Sequence, residues 1–255
     1  MKQVIAFSVD SNYMSYARAL VRSAKQHNVS ADIFCRGINL TLEEASSLES
    51  LNENVRVYQD IVTDLSTKKI LMKRLDNPDE LFWTYDGSVY DPSGVKNIMK
   101  TMYSEMAAYS CHSRFKTIRE LLNEGVDQLL CLDADTYINK NIDNIFLHHE
   151  KDLYVVPSGE DQKLFHNEGL LLINNTSVSR SFFTHVESNI FNGNTFHDWD
   201  VDTKILTSTY ETIDIDIGYL DKSYKDKQHL TESYMWSGDG PRKSYPTFQQ
   251  RLQDD

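Results

Sequence analysis

The sequence predicts an α/β protein with a mostly parallel sheet covered by helices on both faces. Short apolar runs typical of buried strands alternate with longer segments of helical periodicity along most of the chain. The first such pair, residues 3–9 and 12–28, is joined by a short turn. The 255 residues, of which 40% are hydrophobic, are enough to bury a sizeable core. We therefore expect a single domain in which helices flank the sheet.

The N-terminal third follows this alternation closely. "QVIAFSV" is β-branched and apolar, whereas the segment after it places apolar residues on one side of a helix. A later helix is introduced by Thr41 with Glu44 three residues on, which is the spacing of a capping box. The predicted elements are strand 3–9, helix 12–28, strand 31–38, helix 41–51 and strand 55–61.

The middle of the chain begins with a segment that has no period. Residues 62–100 mix charges, aromatic residues and two prolines, which is typical of a long ordered insertion or lid. Helical spacing returns over residues 95–126 and ends at Gly125, and its length indicates two helices.

The second half of the chain is predicted to add strands and one clear helix. The apolar runs at 127–132, 153–159 and 169–175 are typical of buried strands, and 176–191 begins with Thr and Ser and has helical spacing. The tail from residue 222 is polar and aromatic and contains "SGDGPRKSYP", so we expect a loop-rich C-terminus.

Charge and cysteine usage exclude several classes of protein. Acidic residues outnumber basic ones 38 to 26, for a formal charge of −12, which argues against a nucleic-acid or anionic-membrane surface. Cys35, Cys111 and Cys131 lack the spacing of a disulfide or zinc framework, so they indicate reduced thiols and a cytoplasmic location. No apolar stretch approaches the length of a membrane span or a signal-peptide core.

Two acids follow the buried run at 127–132. If that run is a strand, Asp133 and Asp135 lie beyond its carboxyl end, where parallel sheets bind ligands. In an extended segment, residues two apart point to the same side, so the two carboxylates would converge and favour Mn²⁺ or Mg²⁺ between them. An isolated Asp-x-Asp is also common as a solvated loop, and the motif alone leaves both readings open.

The acids and their context resemble the GT-A glycosyltransferases, in particular family eight, the glycogenin and lipopolysaccharide galactosyltransferase type. "LLCLDADTYINKNIDNIF" is similar to that family's strand and Asp-x-Asp, and "AFSVDSNYMSYARALVRSA" to its first strand and helix. "SRFK" and "FHNEGLLLINNTSVSR" match further segments in family order over about residues 1–210. The resemblance implies a GT-A (Rossmann-like) fold with residues 1–125 as a nucleotide-binding half, 126–221 as a metal and acceptor half, and 222–255 as a closing segment.

The resemblance also implies roles for individual residues on the donor side. Ser8, Asp10 and Tyr13 would receive the base and ribose of a nucleotide sugar, and Arg114 would bind the donor. An N-cap for Asp10, core packing for Tyr13 and a solvated position for Arg114 remain open alternatives. Asn167 and Gly169 would face the sugar, with Glu168 between them in place of the family's Ala.

The C-terminal residues match the family pattern less closely. The family's third metal ligand is a His near the C-terminus; His229 is the only candidate after residue 197, but it lacks the usual spacing to the following Gly, so a surface position is equally open. Lys243 would neutralise the leaving diphosphate.

The segment "HDWDVDTKIL" stands where the family has Asp-Gln-Asp. It places Asp202 and Thr203 on the first two of those positions, with Asp198 and Asp200 as rivals. These side chains, with Glu168, would form the catalytic and acceptor site, although an acid there is also favoured by a helix N-terminus.

The resemblance implies a metal-dependent transfer of sugar from a nucleoside-diphosphate sugar, UDP by preference, to an acceptor hydroxyl on a glycan, lipid or protein, with retention. The alternative is a non-catalytic nucleotide-sugar binding module of the same fold. A haloacid dehalogenase phosphatase is disfavoured by Tyr137, and a pyrophosphorylase by the absence of a Gly-rich loop after the first strand.

Overall fold

Strands and helices alternate along the chain in the predicted order. A computed structural model describes residues 1–67, 70–71, 102–157, 169–192, 201–238 and 240–253. The strands are β1 (Gln3–Asp10), β2 (Asp32–Ile38), β3 (Val55–Asp60), β4 (Ile70–Leu71), β5 (Met102–Tyr103), β6 (Gln128–Leu132), β7 (Thr136–Ile138), β8 (Leu153–Val155), β9 (Leu170–Asn174), β10 (Ile217–Tyr219) and β11 (Met235–Ser237). The helices are α1 (Met14–Gln26), α2 (Leu42–Leu51), α3 (Glu105–His112), α4 (Arg114–Asn123), α5 (Ser177–Asn192), α6 (Val201–Tyr210) and α7 (Pro246–Gln253).

A seven-stranded sheet organises these elements in the order β10-β8-β9-β6-β1-β2-β3. β1 pairs in parallel with both β2 and β6, and β2 with β3, whereas β9 runs antiparallel between β6 and β8. The predicted mostly parallel α/β sheet is therefore confirmed, and β9 is its antiparallel exception. The carboxyl ends of β1, β2, β3 and β6 lie along one edge, and that edge carries the candidate site.

Apolar side chains cover both faces of the sheet, as the nearly continuous hydrophobic strands predict. On one face, residues of α1 and the segment after β7 pack against Ile5, Phe7 and Leu130. On the other face, α4, α5 and α6 pack against residues such as Leu129 and Leu171. Helices on both faces give the sheet the rigidity that positions side chains at its edge.

Three local features agree with the sequence in detail. Thr41 and Glu44 form the predicted capping box at the start of α2. The predicted helical region before Gly125 is divided into α3 and α4, and Gly125 ends it with a φ of 82°. The helical prediction from residue 95 is wrong at Met102–Tyr103, which form β5 by pairing with β4. Residues 68–69 and 72–101 lie outside the described residues, so the predicted insertion or lid over 62–100 stays a prediction for most of its length.

The C-terminal segment differs from the predicted loop-rich tail. It contains β11, which pairs antiparallel with β7, and α7, whose Phe248 is buried against Tyr137 and Trp236. The helix begins with Pro246, which suits a first helical position, but its sequence "PTFQQRLQ" is short and mostly polar. Tertiary packing of Phe248 fixes this helix.

Candidate active site

Asp133 and Asp135 lie in a tight turn between β6 and β7, the acid turn (residues 133–136), and not in an extended segment. The backbone N–H of Thr136 donates to the carbonyl of Asp133 at 3.1 Å, and the carbonyl of Asp135 accepts from Gly238 N–H at 2.8 Å. The side-chain alternation argument therefore does not hold for these residues. Their position beyond the carboxyl end of β6 is as predicted, and the turn is held by β11 from the C-terminal segment.

Arg114 contacts the first acid from the start of α4. Its Nη1 donates to Asp133 Oδ1 at 2.9 Å, while its Nε donates to the carbonyl of Cys111 at 2.9 Å. Nη2 lies 3.9 Å from Asp202 Oδ2. Arg114 is 8% exposed, so the solvated alternative is wrong. The guanidinium joins the acid turn to the N-terminal turn of α6.

Lys243 contacts the second acid from the C-terminal segment. Its Nζ lies 2.8 Å from Asp135 Oδ2 and 3.0 Å from the hydroxyl of Tyr13. Burial alone would lower the pKa of Lys243, but Asp135 and Tyr13 raise it above the ordinary value. The ammonium group therefore stays charged over the whole range of ordinary pH, and it lies 4.7 Å from the centre of the Tyr13 ring.

Gly169 lies directly beside Asp133 and begins the approach to β9. Its carbonyl accepts from the N–H of Asp133 at 3.0 Å. A Cβ at this position would lie 2.0 Å from Asp133 Oδ2 and 3.3 Å from Lys225 Nζ. Only glycine leaves room for the present carboxylate position. Asn167 and Glu168, predicted beside it, lie outside the described residues.

The end of β1 carries the residues predicted for the nucleotide. Asp10 is buried and caps the 3-10 turn Ser11–Tyr13, because its Oδ1 accepts from the N–H of Asn12 at 3.0 Å. The N-cap reading of Asp10 is thus confirmed for this 3-10 turn. Burial raises the pKa of Asp10 above its usual value, although the Asn12 amide opposes this. Among the described residues, the buried Oγ of Ser8 has no hydrogen-bond partner.

Only some residues of the predicted acceptor side lie among the described residues. Asp202 and Thr203 lie in the first turn of α6, where the N–H of Thr203 donates to Asp202 Oδ1 at 2.8 Å. Asp202 is 9% exposed and reaches Arg114, so the structure brings it to the acid turn. Asp198 and Asp200 lie outside the described residues.

His229 has a different environment from the predicted metal ligand. The ring is buried and stacks on Trp236 with centroids 5.4 Å apart. Its Nε2 lies 3.0 Å from the carbonyl oxygen of Ser237, and its Nδ1 lies 3.3 Å from Thr247 Oγ1. The surface alternative is wrong. Ligation of a metal by His229 stays a prediction, and it would require a ring nitrogen to exchange one of these partners.

A divalent cation fits the donor set of the acid turn. Two carboxylates are hard oxygen ligands of the kind that Mn²⁺ and Mg²⁺ prefer, and Gly169 leaves space at Asp133 Oδ2. The cation would replace Arg114 and Lys243 as the partner of the two acids.

A second group of metal-binding side chains fits a cation poorly. Ligand atoms of Cys111, His112 and Asp202 lie within 4.8 Å of one another among the described residues. Arg114 Nη2, however, is 2.9 Å from the sulfur of Cys111. Burial raises the pKa of this thiol to about 11, even though Arg114 opposes the shift. A neutral thiol beside a guanidinium does not favour a metal.

Among the described residues, Lys225 lies beside Gly169 although the sequence interpretation did not select it. It ends the 3-10 turn Lys222–Lys225, and its Nζ lies near Asp133 across the space at Gly169. The sequence "DKSYKDK" offers no pattern that distinguishes Lys225 from Lys222 or Lys227.

Comparison with solved structures supports the fold. Glycosyltransferase GlyE of Streptococcus pneumoniae TIGR4 superposes with a TM-score of 0.62 at 14% identity, over 100% of this chain and 61% of that one. Galactosyltransferase LgtC, solved with donor and acceptor sugar analogues, gives 0.55 at 14% identity over 99% and 95% of the two chains. The bifunctional glycosyltransferase WbbM gives 0.55 at 12% identity over 100% and 50%. This chain thus spans only about 61% of GlyE.

Sequence comparisons give the family. A search of curated proteins found no match. Among the described residues, none of the helices combines the length and apolar character needed to cross a bilayer. The family model described as nucleotide-diphospho-sugar transferase matches residues 81–246, which include the acid turn, Arg114 and Lys243. This chain therefore belongs to the nucleotide-diphospho-sugar transferase family.

Proposed function

We propose that this protein transfers a sugar from a nucleoside-diphosphate sugar, UDP by preference, to an acceptor hydroxyl. The observation that carries the proposal is the acid turn at the carboxyl end of β6, where each carboxylate is paired with a separate basic residue. Carboxylates that can bind a metal and basic side chains that can bind a diphosphate lie together there. A nucleoside-diphosphate sugar needs both kinds of group when its diphosphate leaves. Family membership supports the donor class.

The metal part of the proposal rests on Asp133 and Asp135. We propose Mn²⁺ or Mg²⁺ as the ion, with His229 as a further ligand after a change of partner. A divalent cation bound there would supply positive charge that stabilises the leaving diphosphate.

The basic residues complete the leaving-group site. With an ion on Asp133 and Asp135, the Arg114 Nη1 and Lys243 Nζ groups that now contact these acids could instead donate to phosphate oxygens. Because the fold holds both basic side chains in place, little reorganisation of the site is needed when negative charge develops on the diphosphate.

The nucleoside would lie along the end of β1. Ser8, Asp10 and Tyr13 can accept from the base and ribose or pack against them, and Asn167 and Gly169 would face the sugar. Because Lys243 donates to the hydroxyl of Tyr13, the nucleoside and diphosphate sites share a contact.

The acceptor would approach from α6. Asp202 is held near Arg114 and can accept a hydrogen bond from a sugar or acceptor hydroxyl, and Thr203, Asp200 and Glu168 are proposed beside it. We propose transfer with retention, in which the leaving phosphate takes the acceptor proton. The chain has Thr203 in place of the family's Gln, so the configuration of the product is best read directly by proton NMR of the anomeric centre.

Hydrolysis of nucleotide sugars tests the function. Purified protein is incubated with UDP-glucose, UDP-galactose and their N-acetyl forms with manganese, and release of UDP is measured. Slow release that is lost in EDTA and in Asp133→Asn supports the enzyme. Donor binding without release, measured by calorimetry, supports a non-catalytic binding module instead.

A further inference from the structure

Arg36 of β2 is a buried charge that binds the first two turns of α4. The residue is only 2% exposed. Its Nε donates to Thr117 Oγ1 at 2.6 Å, and its Nη2 forms an ion pair with Glu120 on the same helix. Thr117 follows Arg114 by one helical turn, so a guanidinium group from the sheet holds the part of α4 that carries Arg114.

Asp60, the last residue of β3, connects the same guanidinium group to α3. Its Oδ2 accepts from Arg36 Nη1 at 3.0 Å and from the hydroxyl of Tyr109 at 3.0 Å. Burial and the neighbouring Asp60 raise the pKa of Tyr109, so this hydroxyl stays protonated and donates to the carboxylate. The Tyr109 hydroxyl also accepts from Lys116 Nζ at 2.9 Å, which links α3 to α4. The Arg36 network consists of Arg36, Asp60, Tyr109, Thr117 and Glu120.

Arg114 lies at the junction of the two helices that this network holds. Its Nε donates to the carbonyl of Cys111 near the end of α3, and its Nη1 donates to Asp133 in the acid turn, both at 2.9 Å. The orientation of the guanidinium group therefore depends on the position of α3 relative to α4. A shift between these helices would move the group away from Asp133.

Stability alone does not account for the Arg36 network. A buried ion pair often adds no more stability than apolar side chains of the same volume, because both charges lose their water. Buried polar groups do restrict the alternatives, since any displaced donor or acceptor is left without a partner. The network thus fixes α3 and α4 more narrowly than apolar packing would.

We propose that Arg36 is a positioning residue that acts through Arg114. It holds the Arg114 guanidinium group at the acid turn, where the proposed function places the diphosphate of the donor. The inference rests on the proposed function and assigns no contact between Arg36 and the donor.

Donor hydrolysis and UDP binding with manganese test this role. Arg36→Met removes the guanidinium group, and we expect kcat/KM to fall about tenfold through misplacement of Arg114. Thr117→Val keeps the shape of its side chain but removes the acceptor of Arg36 Nε, and Thr117→Ser keeps that acceptor. We expect a loss of activity in the Val variant and near-normal activity in the Ser variant. Arg119→Met, which removes a different ion pair of α4, is the matched control and should react normally.

Combination with Arg114→Lys separates positioning from packing. If Arg36 acts through Arg114, Arg36→Met lowers kcat/KM and UDP affinity in the unmodified protein and has almost no further effect in the Arg114→Lys protein. Thr117→Val takes the place of Arg36→Met in this comparison if the Met variant does not fold.

The outcomes distinguish this inference from the proposed function. Equal losses with and without Arg114→Lys, or a loss of urea stability with unchanged kcat/KM, overturn the role of Arg36 while the proposed function stands. If the unmodified protein neither hydrolyses a nucleotide sugar nor binds a nucleoside diphosphate, both are overturned.

Discussion

Lys243 Nζ lies 2.8 Å from Asp135 Oδ2, which joins the C-terminal segment to the acid turn at the sheet edge. The same ammonium group donates to Tyr13 at the start of α1. One side chain thus connects three parts of the chain that are distant in sequence. The C-terminal segment is therefore part of the site, and its exact position matters for donor binding.

Replacing Lys243 by Met should lower both stability and donor affinity. The Asp135 side chain is only 9% exposed and would lose its ion pair with Lys243, which typically costs about 3 kcal/mol for a buried pair. Urea unfolding measures this loss, and calorimetry with UDP measures the affinity. The double variant Asp135→Asn with Lys243→Met should recover part of the stability but not the affinity. Equal stability of Lys243→Met and the unmodified protein would contradict the pairing.

Gly169→Ala should disrupt ligand binding more than folding. The added Cβ would lie 2.0 Å from Asp133 Oδ2, so the carboxylate must move. We expect manganese and UDP affinity to fall at least tenfold, which corresponds to about 1.4 kcal/mol. Gly125→Ala is the control, because its φ of 82° strains the backbone but no atom of the site is near. It should cost about 1 kcal/mol in stability and leave UDP binding unchanged.

Arg114→Lys should reduce donor turnover although the charge is kept. The guanidinium donates at once to Asp133 and to the carbonyl of Cys111 and reaches Asp202, whereas an ammonium group cannot bridge all three. We expect kcat/KM for donor hydrolysis to fall about 10- to 100-fold, in line with one lost charged hydrogen bond. Arg119→Lys, on the same helix but paired with Glu187, should retain activity. Full activity of Arg114→Lys would show that the bridge is not needed.

Asp10→Asn should stabilise the protein at neutral pH. Burial raises the pKa of Asp10 above the ordinary 3.8, so the folded state holds this proton more tightly than the unfolded chain. The resulting penalty is absent below that ordinary pKa, grows as the pH rises from it to the folded-state pKa, and is constant above the folded-state pKa. Asn keeps an oxygen for the Asn12 amide and removes the penalty. Urea unfolding at about pH 7 should show the gain, and at about pH 3.5 the gain should vanish. A gain that is independent of pH would contradict burial of the charge as its cause.

The sequence predicts the sheet well because each buried strand is a short apolar run that can be recognised from neighbouring residues alone. β1, β2 and β6 are nearly continuous apolar runs, and the capping box of α2 has a mechanism that depends on two residues only. The conformation of Asp133 and Asp135 depends on residues that are distant in the sequence. Asp133 and Asp135 form a turn because Thr136 begins β7, and β7 exists only through pairing with β11 far along the chain.

The site beyond the acids depends on contacts between distant segments. Arg114, Asp202 and Lys243 were predicted from a resemblance, and the structure brings them to the acid turn. Lys225 carries no motif, and α7 lies in a polar segment that the sequence predicts as loop, so both are seen only in the folded structure. His229 is a residue type typical of metal ligands, and both of its ring nitrogens are hydrogen-bonded within the C-terminal segment, which the sequence does not predict.

Binding of a nucleoside diphosphate with manganese to the acid turn is the most direct test of the central claim. Calorimetry of UDP is carried out with and without manganese on the unmodified protein and on Asp133→Asn and Asp135→Asn, with circular dichroism to verify folding. We predict that manganese strengthens UDP binding in the unmodified protein and has no effect in either folded variant. The same gain from manganese in all three proteins would contradict an ion held by these two carboxylates.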